Sequence, residues 1–206
     1  MLRYLRIPLV YLIPVALLLA ACATTQLTSV WKDPSYHTRP AKIMVVGVAK
    51  SPLNRRLFED EFVRELKSLG TDAIASYTIL PDAQQGDQAA IAKKVAELGA
   101  DTVLITRLVS KRVVKVYVPG TPYYPPPFYD TWPHYYEYGY QYLYTPGYIA
   151  KDEYAAIETN LYDAKTDKLI WAASSETGIN DSNQNLIKSY IKVMVNNMIG
   201  LGLLGK

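Results

Sequence analysis

Residues 41–50, AKIMVVGVAK, decide the fold because they form an aliphatic run with no alternating polar face. A strand of this kind is buried on both faces and lies centrally in an α/β sheet. The next segment, SPLNRRLFEDEFVRELKSLG, places four apolar side chains at helical spacing: Phe58, Phe62, Leu66 and Leu69. An amphipathic helix is therefore predicted from Pro52, just after the N-cap Ser51, to a stop at Gly70.

Charged residues on this helix occur in pairs four residues apart, Arg55 with Glu59 and Arg56 with Asp60. Side chains at this spacing are neighbours on a helix surface, so we expect both pairs on the solvated outer face. The consecutive acids Glu59, Asp60 and Glu61 point in different directions and cannot converge as a catalytic acid and base. We interpret them as solvated surface.

The alternation of strand and helix continues along the chain. Residues 72–77 are predicted to form a short strand, and residues 87–98 a helix that Gly99 ends. Residues 101–118 are too long for one flat strand, and from Val114 onward apolar and polar residues alternate. They are expected to form a buried strand that continues outward as the arm of a hairpin.

The last third of the chain predicts a hairpin followed by a helix. Residues 153–163 and 168–177 are joined by the short polar turn AKTD, which is typical of two antiparallel strands. Residues 182–199 carry an apolar helical stripe, and Asp181 with Gln184 gives a capping-box pattern at its start.

The order βαβαβ, then ββ, then α predicts an α/β fold in which helices pack on a mixed β-sheet to give three layers. We expect one domain over residues 41–199. A Tyr- and Pro-rich insertion at residues 119–150 precedes the last hairpin, and residues 200–206 form a tail.

The first 21 residues have the three parts of a bacterial export signal: Arg3 and Arg6, an uncharged run, and small residues before a cleavage site. The run from Ile7 to Ala21 is shorter than the roughly 18–20 apolar residues that a membrane-spanning helix needs. The sequence LAAC that ends at Cys22 resembles the lipobox of bacterial lipoproteins. This resemblance implies cleavage between Ala21 and Cys22 and acylation of Cys22.

Lipidation would make the mature protein a domain tethered to a membrane, because two or three acyl chains hold a protein there essentially permanently. Ala23, rather than Asp, follows the cysteine. By resemblance to the sorting rule of enteric bacteria, this favours the outer membrane, with the domain on the periplasmic face. Residues 22–40 contain few aliphatic runs and are predicted to be the lipidated tether, with Val30 and Trp31 able to dock on the domain.

Composition excludes several classes of site. Without Arg3 and Arg6 the chain has 20 Lys and Arg against 19 Asp and Glu, so it lacks the basic excess of a nucleic-acid-binding protein. Cys22 is the only cysteine, and the two histidines, His37 and His134, are far apart in sequence. We therefore predict no disulfide, no metal site and no cofactor. The nucleophile elbow GxSxG and a complete Walker loop are also absent, which argues against an enzyme.

The insertion concentrates aromatic residues between prolines. Eleven of the eighteen tyrosines lie between Tyr117 and Tyr148. Disordered segments are poor in aromatic residues, so simple disorder does not explain this stretch. In YEYGYQYLY, from Tyr136 to Tyr144, tyrosine alternates with other residues, which predicts a short strand with one aromatic face.

Three hypotheses account for the insertion. It folds back as a cover over the edge of the sheet, or it binds another envelope protein or a second copy of the chain, or its rings stack on sugars of peptidoglycan or lipopolysaccharide. The candidate binding surface comprises Tyr123, Tyr124, Phe128, Trp132, Tyr136, Tyr138, Tyr140 and Tyr142. A cell-wall enzyme would instead need two convergent carboxylates from among Asp130, Glu137, Asp152 and Glu153.

Five motifs, VWKDP, VVGVAK, FEDEFVREL, ELGADTVLITRLV and NLYDAKTDKLIW, resemble those of a family of uncharacterised Gram-negative lipoproteins, over nearly all of the mature chain. The order of elements is also similar to that of the curli-secretion lipoprotein, the activator lipoproteins of penicillin-binding proteins and the amino-terminal domain of the Tol translocation protein. The resemblance implies a three-layer α/β domain in the cell envelope. It carries no agreed activity.

Overall fold

The computed structural model describes residues 25–122, 131–141, 143–179 and 182–205. The predicted signal peptide and the cleavage and lipidation residues Ala21 and Cys22 lie outside them. The strands are β1 (Thr25–Lys32), β2 (Lys42–Val48), β3 (Asp72–Ala75), β4 (Thr102–Val118), β5 (Tyr148–Asp163) and β6 (Leu169–Gly178). The α-helices are α1 (Pro52–Ser68), α2 (Gln88–Leu98), α3 (Trp132–Gln141) and α4 (Asn183–Gly200).

The six strands form one open sheet in the order β1-β6-β5-β4-β2-β3. β2 pairs in parallel with β3 and with β4. The pairs β4–β5, β5–β6 and β6–β1 are antiparallel. The prediction of an α/β fold with a mixed sheet is therefore confirmed. β2 is an interior strand, but it lies next to the edge strand β3 and not at the centre of the sheet.

Helices cover both faces of the sheet and complete the three predicted layers. Ile43 and Val45 of β2 pack in a core with α1 and α4, whereas Met44 and Val46 pack on the opposite face with Val95 of α2. Because β2 is buried on both faces, its alternation of side chains supplies two separate cores.

Local signals fix where the helices begin and end. The Ser51 hydroxyl accepts a hydrogen bond from the Asn54 amide at the start of α1, and Asp87 accepts from the Ala89 and Ala90 amides at the start of α2. Gly99 ends α2 with a φ of 61°, in the left-handed region that favours glycine. The predicted capping of α4 is displaced by one residue, because Ser182 is its N-cap and Asp181 lies outside the described residues.

The predicted tether at residues 22–40 is wrong for its central part, because Thr25–Lys32 form β1. This strand pairs along β6 and covers an edge that would otherwise expose unpaired backbone groups. Leu27 packs against the core, while Trp31 is exposed. The predicted tail is also part of the fold, since Leu203 and Leu204 are buried.

The prediction that Arg55 and Glu59 lie on the outer face of α1 is wrong. Their exposed fractions are 1% and 0%, and the Arg55 Nε donates to Glu59 Oε1 at 3.0 Å. Glu59 Oε1 also accepts from the Gly47 amide at 2.9 Å and from Ser76 Oγ at 2.7 Å, and Oε2 accepts from the Tyr77 amide at 2.8 Å. One carboxylate thus connects α1 to the ends of β2 and β3.

Asp82 completes this buried network from the loop that follows β3. Its carboxylate accepts from Arg55 Nη1 at 2.9 Å and from Arg56 Nη2 at 3.2 Å. Arg56 therefore pairs with Asp82 and not with Asp60, which instead accepts a hydrogen bond from the Tyr77 hydroxyl at 2.7 Å. Glu61 is also buried, with Arg64 as its ion-pair partner. Of the three acids predicted to be solvated surface, only Asp60 is exposed.

Replacing Glu59 with Gln is expected to lower the free energy of unfolding by about 3–5 kcal/mol, because it removes one charge from a buried pair and leaves Arg55 under-compensated. Denaturant unfolding of the two proteins measures the difference. Glu97→Gln is the matched control, since Glu97 is exposed and pairs with Lys94 on α2. Equal destabilisation by both substitutions would contradict the role assigned to Glu59.

Candidate functional site at the carboxyl edge of the sheet

Most of the unusual features of the chain lie at one end of the strands, the end where the parallel strands finish, which is named here the carboxyl edge. The parallel strands β2 and β3 end there, and α1 begins there after Ser51. β6 runs in the same direction as β4, so it also ends at this edge, where β1 and α4 begin. β4 continues past the edge as the longest strand, with 17 residues.

The predicted hairpin arm is present at this edge. Named here the arm, it consists of Val113–Val118 of β4 paired with Tyr148–Glu153 of β5. β6 pairs with β5 only as far as Tyr154, so the arm is a two-stranded ribbon about 20 Å long. The arm exposes five large apolar side chains: Val113, Val116, Tyr117, Tyr148 and Ile149.

Arg112 fixes the root of the arm. Its guanidinium donates to both carboxylate oxygens of Glu176 on β6, at 2.5 and 2.7 Å, and lies 4.7 Å from the centre of the Tyr154 ring. The hydrogen bonds from Arg112 hold the pKa of the Glu176 carboxyl below its usual value. This contact ties β4 to β6 across β5 at the last position where three strands are paired.

The far end of the arm is closed by backbone contacts that require glycine. The Thr121 amide donates to the Thr145 carbonyl at 2.9 Å, and the Thr145 amide donates to Thr121 Oγ1 at 3.0 Å. A Cβ on Gly120 would lie 2.4 Å from the Thr145 carbonyl oxygen, and a Cβ on Gly147 would lie 2.3 Å from the Tyr117 hydroxyl. A side chain at Gly120 would therefore force the two strands apart.

The predicted aromatic strand over Tyr136–Tyr144 is wrong, because Trp132–Gln141 form the helix α3. A strand needs a neighbouring strand for its backbone hydrogen bonds, whereas a helix forms them internally. Trp132, Tyr136 and Tyr140 are four residues apart and share one side of α3, with exposed fractions of 80%, 66% and 69%. The rings of Tyr136 and Tyr140 stack with their centres 6.1 Å apart.

The structure brings together only part of the predicted aromatic surface. Trp132, Tyr136 and Tyr140 form one exposed stripe, named here the aromatic stripe, whereas Tyr138 is half-buried. The remaining predicted residues, Tyr123, Tyr124, Phe128 and Tyr142, lie outside the described residues. Tyr135 and Tyr144, which were not among the residues of the predicted surface, are also exposed and extend the aromatic character of the insertion.

A cleft of about 930 Å³ opens beside the root of the arm, where the loop after β2 meets β4 and the first turns of α4. The helix after β2 lies on one face of the sheet and the helix after β3 on the other, so β2 and β4 flank the switch point at which open α/β sheets bind ligands. The apolar side chains that line the cleft include Phe58, Leu108, Ile157, Ile179, Leu186 and Ile187. We did not predict this cleft, although two small residues at the end of a buried strand, Gly47 in β2 and Ala49 directly after it, are its sequence signal.

Hydroxyl groups form the buried base of the cleft. The Tyr190 hydroxyl hydrogen-bonds with Thr159, and Thr159 Oγ1 lies 2.7 Å from Thr106 Oγ1. Burial raises the pKa of Tyr190 well above its usual value. On the adjacent wall, Gln85 Nε2 donates to the Gly47 carbonyl at 2.7 Å and fixes the loop after β2.

The described ranges hold no group of three or more His, Cys, Asp or Glu residues that could bind a metal ion. In the same part of the chain, no helix is both long and apolar enough to cross a membrane. Asp152 and Glu153 are consecutive residues of β5 and face opposite sides of the arm, so these two carboxylates do not converge.

Three solved structures are similar in fold to this chain. The PelC dodecamer of Paraburkholderia phytofirmans matches with a TM-score of 0.49 and 12% identity, covering 88% of this chain and 99% of PelC. A single-residue variant of the same dodecamer matches with a TM-score of 0.45 and 15% identity, over 82% and 94% of the two chains. Lipoprotein GNA1162 of Neisseria meningitidis matches with a TM-score of 0.42 and 16% identity, over 78% and 99%. Neither a protein-family profile nor a curated protein matches the chain.

Gly120→Ala is expected to open the end of the arm, because the new Cβ would clash with backbone atoms that cannot rotate away. Hydrogen exchange at the Thr121 amide should quicken by roughly tenfold, the equivalent of one lost hydrogen bond. Gly86→Ala is the control, since a Cβ there meets nothing within 4 Å. Unchanged exchange at Thr121 would show that the arm closes in another way.

Tyr190→Phe is expected to change how stability depends on pH. The tyrosine of the unfolded chain ionises near pH 10, whereas the buried Tyr190 of the folded chain stays neutral. The contribution of the neutral Tyr190 side chain to the free energy of unfolding is therefore complete below about pH 10 and is lost as the pH rises above that value. Below pH 10 the variant should be less stable by about 1 kcal/mol, the worth of a hydrogen bond.

Denaturant unfolding between pH 8 and pH 11.5 tests this expectation. The difference in stability between the two proteins should shrink as the pH rises above 10, because only the wild type loses the contribution of a neutral Tyr190. The other tyrosines are present in both proteins, so their ionisation does not change the difference in stability. A difference that stays constant across this range would contradict a buried, neutral Tyr190.

Proposed function

We propose that this chain is a non-catalytic, lipid-anchored protein of the outer membrane whose arm and aromatic stripe bind another component of the envelope. The anchor is Cys22, and the domain lies on the periplasmic face. The observation that carries the proposal is the arm itself, a two-stranded ribbon that exposes five large apolar side chains and leads to the aromatic stripe.

The energetics of the arm favour a binding role. An isolated two-stranded hairpin is marginally stable in water, and large exposed apolar surfaces commonly mark interaction sites. Trp and Tyr are the residues that most often dominate interface energies, because a ring buries a large area and freezes only two torsions. Trp132, Tyr136 and Tyr140 offer such groups already aligned on a helix.

The position of the arm supports an envelope partner. Thr25 begins β1 at the carboxyl edge, three residues after Cys22. Three residues span at most about 10 Å, so acyl chains on Cys22 would hold this edge next to the membrane. The arm and the stripe would then meet components that lie on or beside the bilayer.

Glycan binding is the second candidate function, and the aromatic stripe is the observation that favours it. The stacked rings of Tyr136 and Tyr140 lie at 26° to one another and remain exposed. Exposed aromatic faces with adjacent hydroxyl groups suit both stacking on sugar rings and hydrogen bonding to them.

Removal of the aromatic stripe tests the proposal. In the full-length chain with Trp132→Ala, Tyr136→Ala and Tyr140→Ala together, cross-linked capture of envelope proteins should fall more than roughly tenfold, because each ring is a candidate hot spot. Because the three side chains are exposed, the melting temperature should change little. Trp31→Ala is the control, since Trp31 is an exposed aromatic residue near the end of β1, at the opposite edge of the sheet.

Three readouts separate the alternatives. Loss of protein capture with an unchanged melting temperature supports the proposal. Loss of sedimentation with purified peptidoglycan, without loss of protein capture, supports the glycan candidate. Oligomeric mass shows whether the captured partner is a second copy of the chain. A large drop in melting temperature with no loss of capture or sedimentation would mean that the stripe only covers its own domain.

A further inference from the structure

We infer that the cleft at the carboxyl edge binds an anionic amphiphile with an acyl chain, of the fatty-acid type, drawn from the membrane beside the anchor. The inference rests on the proposed function for the source of the ligand, since the anchor brings the cleft to the membrane. It assigns a binding site separate from the aromatic stripe.

The wall of the cleft fits an acyl chain. The volume of the cleft is about 930 Å³, which lies within the roughly 300–1,000 Å³ that is typical of small-molecule sites. Leu108 and Ile157 from the sheet face Leu186 and Ile187 from α4 across it. Val48 and Leu108 are each about half exposed at the mouth, so apolar surface continues to the solvent.

Among the described residues that line the cleft, every charged side chain is positive. These are Lys50, Arg55, Arg107 and Lys111, and none of the described lining residues is a carboxylate. Two of these cations are already neutralised: Arg55 by the buried network and Arg107 by Glu158, whose carboxylate it contacts at 2.7 Å. Lys50 and Lys111 are exposed and make no ion pair within the part of the chain that the structure describes.

The adjoining face of the arm adds to this positive charge. Lys111 shares its face with Lys115 and Lys151, which lie directly opposite each other in the β4–β5 register. Like charges at that position destabilise a free ribbon, and an anionic group between them would relieve the repulsion. Among the described residues of the arm, Glu153 is the only acid on this face. The charge therefore selects an anionic head group over a neutral one.

The start of the chain places this cleft beside the anchor. Thr177 lines the cleft, and its hydroxyl lies 3.0 Å from that of Thr25. Only residues 23 and 24 separate Thr25 from Cys22, so the membrane that holds Cys22 would lie within about 10 Å of this wall. An acyl chain on Cys22 itself would reach the cleft too, but it has no charge to pair with Lys50 and Lys111.

Photo-crosslinking tests the inference on the full-length chain. Membrane and soluble fractions of cells that produce it are incubated with palmitate carrying a diazirine, then illuminated, and the labelled peptides are mapped by mass spectrometry. We expect labels on the start of α4 and on the cleft side of β5, and competition by unlabelled palmitate. Lys50→Ala with Lys111→Ala should reduce labelling roughly fivefold, as expected for two exposed ion pairs.

Matched variants sharpen the result. Leu108→Glu places a carboxylate in the wall and should abolish labelling, whereas Leu53→Glu, at an exposed apolar site that does not line the cleft, should leave it unchanged. Labels confined to the arm or to α3, or labelling insensitive to both cleft variants, would overturn the inference. Labelling of Cys22→Ser but not of the wild type would also overturn it, because the protein's own lipid would then fill the cleft.

The outcome is separable from that of the proposed function. Recovery of the chain in the soluble fraction would contradict lipid anchoring through Cys22. Saturable labelling of the cleft in that fraction would still support the acyl-chain binding site. A chain with the aromatic stripe removed should lose capture of its partner and retain its palmitate label.

Discussion

The Glu59 carboxylate is the constraint on which the carboxyl edge depends. It is fully buried and accepts four hydrogen bonds, from the Gly47 amide, the Arg55 side chain, the Ser76 hydroxyl and the Tyr77 amide. A buried ion pair is weak evidence for stability, because desolvation offsets much of the attraction. Its effect here is positional: the loop after β2 and the turn after β3 are both fixed to α1, and the fixed loop after β2 forms one wall of the cleft.

The carboxyl edge then combines three features that are far apart in sequence. The first residue of β1, the cleft beside Gly47 and the arm of β4 and β5 all lie there because the strand directions place them there. The opposite edge carries tight turns, such as the one between β5 and β6, whose Asp163 side chain accepts from the Lys165 and Thr166 amides. This asymmetry leaves the cleft and the exposed apolar side chains of the arm at one edge and compact turns at the other.

Hydrophobic periodicity predicted most of the regular structure. β2, α1, α2, the long β4 and the hairpin of β5 and β6 follow from local patterns. β1 could not be predicted in the same way, because its stability comes from pairing with β6, nearly 150 residues away in sequence. Arg55 and Glu59 look like any surface pair four residues apart, and only tertiary packing buries them. The period of two in the tyrosine run was misleading, since among the described residues no strand pairs with this segment and Trp132–Gln141 form α3 instead.

The central claim is that the carboxyl edge is the contact surface of the protein. A photoreactive amino acid placed at Tyr136 on α3, and separately at Lys165 in the turn at the opposite edge, tests it in the native cells. The account predicts discrete cross-linked products with another envelope component from position 136 and none from position 165. Products from position 165 alone, or the same products from both positions, would contradict it.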